Sequence, residues 1–244
     1  MNPPSRTRIK ICGLTREQDV DCAVAAGADA VGFVLYEPSP RFVDARRTAE
    51  LARRLPPFVT RVLLFVNASA ADIAQACAGV PGATLQFHGD ETPEFCSKVS
   101  RQLGRPFLRA ARIPQGDNGG FNLLEFASHY TDAQALLLDA HVEGYGGGGK
   151  TFNWSLLPPS VDAHLVLSGG LNTANVIDGI TQLRARCKSL AVDVSSGVER
   201  SLGIKDPEKI HQFVAAVRAA DEPFRPSRTV LAPGASTVRP TPPS

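Results

Sequence analysis

The chain has 244 residues, of which 43% are apolar and 20% are charged, and its formal net charge is +2. This length suffices for one large α/β domain whose core needs no disulfide or metal. The nearly balanced charge gives no strong attraction to nucleic acids or membranes and argues against both classes of partner. No apolar run is long enough to span a bilayer. The N-terminal segment MNPPSRTR lacks the apolar stretch of a signal peptide.

The cysteine pattern favours a reducing compartment. The cysteines are odd in number and widely spaced, and no CxxC pair occurs among them. This spacing does not indicate a zinc site or a disulfide framework, so we predict a cytoplasmic protein. The five positions are Cys12, Cys22, Cys77, Cys96 and Cys187.

Short apolar runs alternate with helical patterns along the chain. The runs have the composition of strands that are covered on both faces, as in a parallel sheet. Between them, a segment such as residues 73–80 places apolar side chains at the i, i+3, i+4 and i+7 positions of an amphipathic helix. The predicted strands are residues 8–12, 30–35, 61–66, 83–87, 106–111, 135–139, 164–168 and 190–194.

Several helix starts can be read from capping residues. Thr92 and Asp206 are each followed by proline, which is typical of an N-cap and the first helical residue. Thr15 with Gln18 three residues later matches a capping box and predicts a helix that starts at Thr15.

Eight strand–helix units in one chain predict a single (β/α)₈ TIM barrel over residues 1–220. An open, doubly wound sheet is the alternative. The sixth unit has a glycine-rich loop and room for only a short helix. Residues 221–244 are rich in proline and lack an apolar period, so we predict a disordered C-terminal tail.

Polar residues stand where the predicted strands end. Cys12 ends the first strand, Arg41 follows the second, His88 follows the fourth, and Asp139 ends the sixth. In a parallel barrel these ends share one face, and the loops of that face build the active site. The sequence therefore predicts a small-molecule site there.

The loops after strands seven and eight predict a phosphate site. Glycines let backbone N–H groups approach an anion, and barrels of this type often hold phosphate between these two loops. The residues suited to this role are Gly169, Gly170, Ser195, Ser196 and Gly197. A simple tight turn at Gly169 and Gly170 is the alternative interpretation.

Residues 144–151 formally match the P-loop pattern G-x-x-x-x-G-K-[ST]. No helix of the required length follows, because Trp154 and Pro158 crowd the next segment. We interpret the match as chance and the segment as a glycine-rich lid over the barrel mouth.

Cys12 and Asp139 suggest acid–base chemistry. A thiol can act as a base or nucleophile, and a carboxyl group in an apolar mouth can act as an acid. Such chemistry requires a raised pKa for the acid and a lowered one for the base. A buried cysteine is often only a small apolar side chain, and an aspartate at a strand end is often a turn residue. Together, beside a phosphate site, they favour acid–base chemistry on a phosphorylated sugar.

Two further residues have open roles. Arg41 can hold a carboxylate in a bidentate pair, or it can be a surface arginine after a proline-rich turn. His88 can be an acid or a base, although a hydrogen-bonded structural role is the more ordinary one for a histidine.

Six segments together resemble the phosphoribosylanthranilate isomerase family. They occur in the family's order between about Arg8 and Asp206. The segments are KICGLT, GADAVGFVLYEPSPRFV, LQFHGDE, LLLDAHVEGYGGGGKTFNW, LSGGLN and DVSSGVE with GIKD.

The resemblance implies a TIM barrel without cofactor or metal. It also implies an Amadori rearrangement of N-(5-phosphoribosyl)anthranilate to 1-(2-carboxyphenylamino)-1-deoxyribulose 5-phosphate in tryptophan biosynthesis. By that resemblance Cys12 is the general base, Asp139 is the general acid, and Arg41 binds the anthranilate carboxylate. The implied phosphate-binding residues are Gly169, Gly170, Asp193, Ser195, Ser196 and Gly197.

The sequence departs from the family at Gly148, Asn153 and Leu202, which bear on the lid and the eighth helix rather than on the acid or base.

Three other functions remain open. Indole-3-glycerol phosphate synthase needs lysines within the barrel, and of the predicted strands only the first carries one, Lys10, which strand alternation can turn inward. A ribulose-phosphate epimerase needs metal-binding histidines at strand ends. A non-catalytic phosphate-binding barrel needs the phosphate loops but not both Cys12 and Asp139.

Overall fold

The computed structural model describes residues 6–114, 121–140 and 151–224 of the chain. The glycine-rich segment 144–150 lies outside the described residues. So does the predicted disordered tail, except for residues 221–224.

The predicted barrel is confirmed. Eight parallel strands form a closed barrel in chain order, and the last strand pairs with the first, so the open-sheet alternative is wrong. The strands are β1 Arg8–Cys12, β2 Ala30–Val34, β3 Thr60–Phe65, β4 Thr84–Phe87, β5 Phe107–Ile113, β6 Ala135–Ala140, β7 Val161–Leu167 and β8 Cys187–Val194.

Helices connect the strands along the outside of the barrel. After β6 the structure describes a three-residue 3-10 helix, Trp154–Leu156, as the sequence predicts for the sixth unit. No described helix has the length and apolar character needed to cross a membrane. The α-helices are α1 Glu17–Ala26, α2 Ala45–Ala52, α3 Ala70–Ala78, α4 Pro93–Leu103, α5 Leu123–His129, α6 Val176–Leu183 and α7 Pro207–Asp221.

Two of the three predicted helix starts are confirmed. The side chains of Thr92 and Asp206 cap α4 and α7. The prediction for Thr15 is wrong, because α1 begins at Glu17 without a side-chain cap. The Thr15 hydroxyl instead donates a 2.9 Å hydrogen bond to the carbonyl of Gly203, so a long-range contact replaces the local one.

The apolar core fills the space between the barrel and its helices. Its largest fully buried side chains include Phe33, Phe65, Phe87 and Phe107 on four successive strands. Burying an aromatic side chain of this size stabilises the fold by about 1.5–3 kcal/mol. These side chains pack within the core that joins the strands to the surrounding helices.

The two ends of the described chain are tied together. The Asp221 carboxylate at the end of α7 accepts hydrogen bonds from the Thr7 backbone N–H at 2.9 Å and the Thr7 hydroxyl at 2.7 Å. Arg184 also donates to Asp221. These buried contacts hold the start of β1 against the last helix.

A two-stranded hairpin follows β8 at the C-terminal ends of the strands. It consists of β9, Glu199–Ser201, and β10, Ile204–Lys205, paired antiparallel. The hairpin places the buried side chains of Glu199 and Lys205 beside the ends of β1 and β8.

Candidate active site

Cys12 lies at the C-terminal end of β1 and is only 5% exposed. It pairs in register with Gly32 on β2, and a Cβ atom added to Gly32 would lie 2.5 Å from the Cys12 Sγ. The thiol therefore occupies space that a side chain at position 32 would fill. The glycine is required for this thiol position.

Charged groups surround the Cys12 thiol. Burial raises the pKa of Cys12, the positive charges of Lys10 and Lys205 lower it, and the negative charge of Asp193 raises it, with a raised pKa as the net result. A thiol with a raised pKa is protonated near neutral pH, whereas the sequence argument requires a base with a lowered pKa. The positive charges of Lys10 and Lys205 are the groups here that favour the thiolate form.

Asp139 is held by a chain of buried side chains from β4. The Nε2 atom of His88 lies 2.8 Å from the Asp139 Oδ2 atom. The Gln86 Nε2 atom lies 3.0 Å from the His88 Nδ1 atom. Since the Gln86 amide nitrogen can only donate, the His88 Nδ1 accepts and its Nε2–H donates to Asp139. This tautomer gives the carboxylate a fixed orientation.

Arg41 is buried in the site, so its interpretation as a surface arginine is wrong. Its Nε and Nη2 atoms donate to the two Glu199 carboxylate oxygens at 2.7 and 2.8 Å. Lys205 donates to the same carboxylate at 2.9 Å. Two cations thus share one carboxylate, and the cluster keeps a net positive charge that favours an anionic ligand.

Burial and ion pairing together set the pKa shifts of Glu199 and Lys205. Burial raises the pKa of Glu199, but hydrogen bonds and charge from Arg41 and Lys205 outweigh it and leave that pKa lowered. Burial also lowers the pKa of Lys205, and the charge of Glu199 only partly compensates. Glu199 is therefore ionised at neutral pH.

The two predicted phosphate loops are adjacent in space. A Cβ atom on Gly197 would lie 1.9 Å from the Leu171 carbonyl oxygen, so the loop after β8 packs directly on the loop after β7. Ser195 adds a hydroxyl that accepts a 3.2 Å hydrogen bond from Lys205. Ser196 and Gly197 form a short 3-10 turn beside it.

The loop after β7 also approaches the predicted acid. Gly169 and Gly170 have φ angles of +76° and +63°, which favour glycine. A Cβ atom on Gly169 would lie 2.8 Å from the Asp139 Oδ1 atom. The glycines thus bring the predicted phosphate loop against the carboxylate, in addition to forming a turn.

Asp193, which the family resemblance implies as a phosphate residue, lies deeper in the barrel. Its Oδ2 atom accepts a 2.7 Å hydrogen bond from the Lys10 Nζ, and both side chains are buried. The alternation of strand residues thus turns Lys10 inward. The pair lies below the loops, two residues before Ser195 and two before Cys12.

Of the three departures from the family pattern, Asn153 and Leu202 lie among the described residues and Gly148 does not. The Asn153 side chain accepts hydrogen bonds from the Ser155 backbone N–H at 3.0 Å and hydroxyl at 2.8 Å, and so caps the 3-10 helix. Leu202 is exposed in the turn between β9 and β10.

Sequence reasoning missed three residues as partners of the site: Gln86, Glu199 and Lys205. Gln86 precedes His88 by two residues on β4, so strand alternation was a usable signal. Glu199 and Lys205 lie in the hairpin, and the predicted elements gave no signal for them. Within residues 6–114, 121–140 and 151–224, no group of three or more His, Cys, Asp or Glu side chains is placed to hold a metal ion.

Comparison with known proteins identifies the family. The sequence profile described as N-(5'phosphoribosyl)anthranilate (PRA) isomerase matches residues 9–216. The N-(5'-phosphoribosyl)anthranilate isomerase of Leptothrix cholodnii is 61% identical over 218 residues, which cover 89% of this chain and 94% of that protein. The protein of the same name from Dechloromonas aromatica is 58% identical over 217 residues, 89% of this chain and 99% of its own length.

Solved structures agree with the sequence comparison. Phosphoribosyl anthranilate isomerase from Thermotoga maritima matches with a TM-score of 0.76 and 38% identity, over 87% of this chain and 99% of its own. A phosphoribosyl anthranilate isomerase in complex with reduced 1-(o-carboxyphenylamino)-1-deoxyribulose 5-phosphate matches with a TM-score of 0.71 and 34% identity, over 87% and 99%. From its profile, its sequence relatives and its barrel, the chain belongs to the N-(5'-phosphoribosyl)anthranilate isomerase family.

Proposed function

We propose that this isomerase of tryptophan biosynthesis converts N-(5-phosphoribosyl)anthranilate to 1-(2-carboxyphenylamino)-1-deoxyribulose 5-phosphate, with Asp139 as general acid and Cys12 as general base. The observation that carries the assignment is the position of both side chains at strand ends on one face, beside the loops that contain Gly169 and Ser195. An aldose–ketose isomerisation neither gains nor loses electrons, so proton transfers by these two groups suffice for it.

The reaction begins at the ring oxygen of the substrate. Protonated Asp139 donates its proton to the furanose oxygen, and the C–O bond at the anomeric carbon breaks. The anilino nitrogen supplies the electron pair and becomes part of a protonated Schiff base. His88 keeps the Asp139 carboxyl group oriented during this step, because its Nε2 lies 2.8 Å from one carboxyl oxygen.

The second step removes a carbon-bound proton. The Cys12 thiolate takes the proton from the carbon that bears the 2-hydroxyl, and the electron pair flows to the positive nitrogen. The resulting enolamine tautomerises to the ketone. Because Asp139 has lost a proton and Cys12 has gained one, a proton must return from the thiol to the carboxylate before the next turnover.

The binding residues account for the two anionic ends of the substrate. The backbone N–H groups of the loops at Gly169, Gly170, Ser195, Ser196 and Gly197 suit the phosphate. Arg41 suits the anthranilate carboxylate. The substrate carboxylate can take the place of one Glu199 oxygen, so that the buried guanidinium stays paired. The analogue bound to the related isomerase carries both a carboxyphenyl group and a phosphate, which supports this assignment.

The test of the assignment follows turnover by the fluorescence of the substrate. We expect Cys12→Ala and Asp139→Asn each to lower kcat by about 10²–10⁴-fold, the typical contribution of one positioned proton transfer. Both variants should still bind a reduced product analogue. Cys77→Ala is the matched control, because Cys77 is a buried cysteine on α3 that packs in the core.

Near-normal turnover in either site variant would exclude that residue from its proposed role. If the unmodified protein binds the phosphosugar analogue but shows no turnover, the result would instead favour the non-catalytic phosphate-binding barrel. The cytoplasmic location stays a prediction, consistent with five free thiols.

A further inference from the structure

A buried ion pair lies directly below the proposed base. The Lys10 Nζ atom lies 2.7 Å from the Asp193 Oδ2 atom, and the two side chains are 4% and 5% exposed. Burying such a pair costs free energy through desolvation, and a pair of apolar residues often gives equal or greater stability. Stability alone therefore gives no reason for a lysine at this position.

The Lys10 ammonium also faces the Cys12 thiol. A Cβ atom added to Gly32 would lie 2.5 Å from the Cys12 Sγ and 3.1 Å from the Lys10 Nζ. Both atoms thus flank the same small space above Gly32, and their separation cannot exceed the sum of these two distances. No side chain at position 32 separates the ammonium from the sulfur.

We propose that Lys10 is a positioning residue for the isomerisation, whose ammonium, fixed by Asp193, favours the thiolate form of Cys12. This inference rests on the proposed role of Cys12 as the base. Lys10 itself neither touches the reacting carbon nor transfers its proton. It acts by placing a positive charge beside the sulfur at the time when the thiol must ionise.

The electrostatics of the pair agree with this role. Burial acts to lower the pKa of Lys10, but the charges of Asp193 and Cys12 outweigh it and leave that pKa raised. Lys10 therefore stays protonated in a site that would otherwise neutralise it. Lys10 is also the largest influence that opposes the effect of burial on the pKa of the Cys12 thiol.

Two other charged groups influence the same sulfur. Lys205, from the hairpin after β8, also favours the thiolate, and Asp193 opposes it. Lys205 is hydrogen-bonded to Glu199 and Ser195, which belong to the cluster around Arg41. Lys10 is hydrogen-bonded to Asp193 instead. The effect of Lys10 on the thiol can thus be tested without removing the cluster around Arg41.

The experiment measures the ionisation of Cys12 directly. Thiolate absorbance is recorded against pH for the enzyme and for Cys12→Ala, and the difference isolates the Cys12 thiolate. The same difference is taken in the Lys10→Met background. We expect the midpoint of the Cys12 ionisation to move to higher pH. The ionised fraction of Cys12 at neutral pH should then fall about tenfold for each pH unit of that shift. The kcat value should fall while KM changes little.

A second variant separates the loss of the Lys10 charge from a loss of stability. Lys10→Met leaves Asp193 as an unpaired buried charge, so we add Lys10→Met/Asp193→Asn, which removes both charges and keeps the side-chain volumes similar. We expect this double variant to recover the free energy of unfolding but not the kcat value. Lys188→Met is the matched control, because it removes a half-exposed lysine at the opposite end of β8.

The outcomes separate this inference from the proposed function. Because Asp193 opposes the thiolate, the double variant is compared with Asp193→Asn alone. If the Cys12 ionisation midpoint and the kcat value are the same in these two variants, Lys10 has only a structural role and the inference is wrong. In that case a large loss of turnover in Cys12→Ala would still support the base assignment. If Cys12→Ala itself keeps normal turnover, the base assignment fails, and the inference fails with it.

Discussion

His88 and Asp139 form a buried contact at the C-terminal ends of the strands, with the imidazole Nε2 atom 2.8 Å from the carboxylate Oδ2 atom. The two residues are 51 positions apart in the chain and belong to β4 and β6. Gln86 fixes the tautomer of the imidazole from the other side. The proposed acid is therefore positioned by a neighbouring structural unit as well as by its own strand.

The first prediction concerns this contact. We expect His88→Ala to lower kcat by about 10²-fold, because a small misplacement of a catalytic group has an effect of that size. KM should change little, since His88 does not contact either predicted phosphate loop in the described hydrogen bonds. Steady-state kinetics measure both constants. Unchanged kcat would show that β6 alone suffices to orient Asp139.

The second prediction uses the space beside Cys12. We expect Gly32→Ala to displace the thiol, because the new Cβ would lie 2.5 Å from the Sγ, and to lower kcat by about 10²-fold. Gly79→Ala is the control, because its Cβ would lie 3.0 Å from the Ala49 Cβ between two outer helices. A crystal structure of Gly32→Ala with the sulfur unmoved would contradict the expected mechanism.

The third prediction concerns the link between the chain ends. Asp221→Asn removes the carboxylate of a buried pair with Arg184, and we expect a loss of about 3–5 kcal/mol in the free energy of unfolding. Asp162→Asn removes an exposed partner of Lys188 and should change that free energy by less than about 1 kcal/mol. Urea unfolding measures both. Equal effects would mean that burial of the Asp221 pair has no energetic consequence.

The fourth prediction concerns alkaline pH. Burial raises the pKa of Cys96 from 9.0 to about 12. Above pH 9 the unfolded chain loses this proton while the folded chain keeps it, so the stability that is present below pH 9 is lost as the pH rises toward 12. Between about pH 8 and about pH 10 this thiol should contribute a loss of roughly 1.4 kcal/mol.

Cys96→Ala isolates that contribution. The variant should be less stable at both pH values because of the cavity, yet its free energy of unfolding should decrease less between them. Other groups titrate in both proteins and cancel in the comparison. Identical decreases in the two proteins would contradict the raised pKa of Cys96.

The strand pattern predicted the barrel well because most strands contain a continuous apolar segment, although β1 (RIKIC) and β4 (TLQF) are interrupted by polar residues. The predicted starts of β7 and β8 lie three residues too late, at residues 164 and 190 instead of 161 and 187. Both strands begin with alternating exposed residues, such as Asp162 and Lys188, which interrupt the apolar run. Pairing with neighbouring strands extends these segments where composition alone does not.

The site was less predictable than the fold, and long-range contacts explain the difference. Residues at strand ends, such as Cys12 and Asp139, follow from the barrel itself. The pairing of Arg41 with Glu199 spans 158 residues and depends on a hairpin that no local pattern indicates. Likewise Thr15 bonds to Gly203 rather than capping its own helix.

The closure of the barrel has a consequence for synthesis on the ribosome. β1, which carries Cys12, is translated first, but one of its two neighbours is β8, the last strand of the barrel. Until residues 187–194 have emerged, the nascent β1 has an open edge. The Thr7–Asp221 contact, which spans 214 residues, forms later still. The closed barrel therefore cannot form before β8 has emerged, and a chain that terminates before β8 retains Cys12 and Asp139 but lacks Ser195, Glu199 and Lys205, which lie beside them in the full structure.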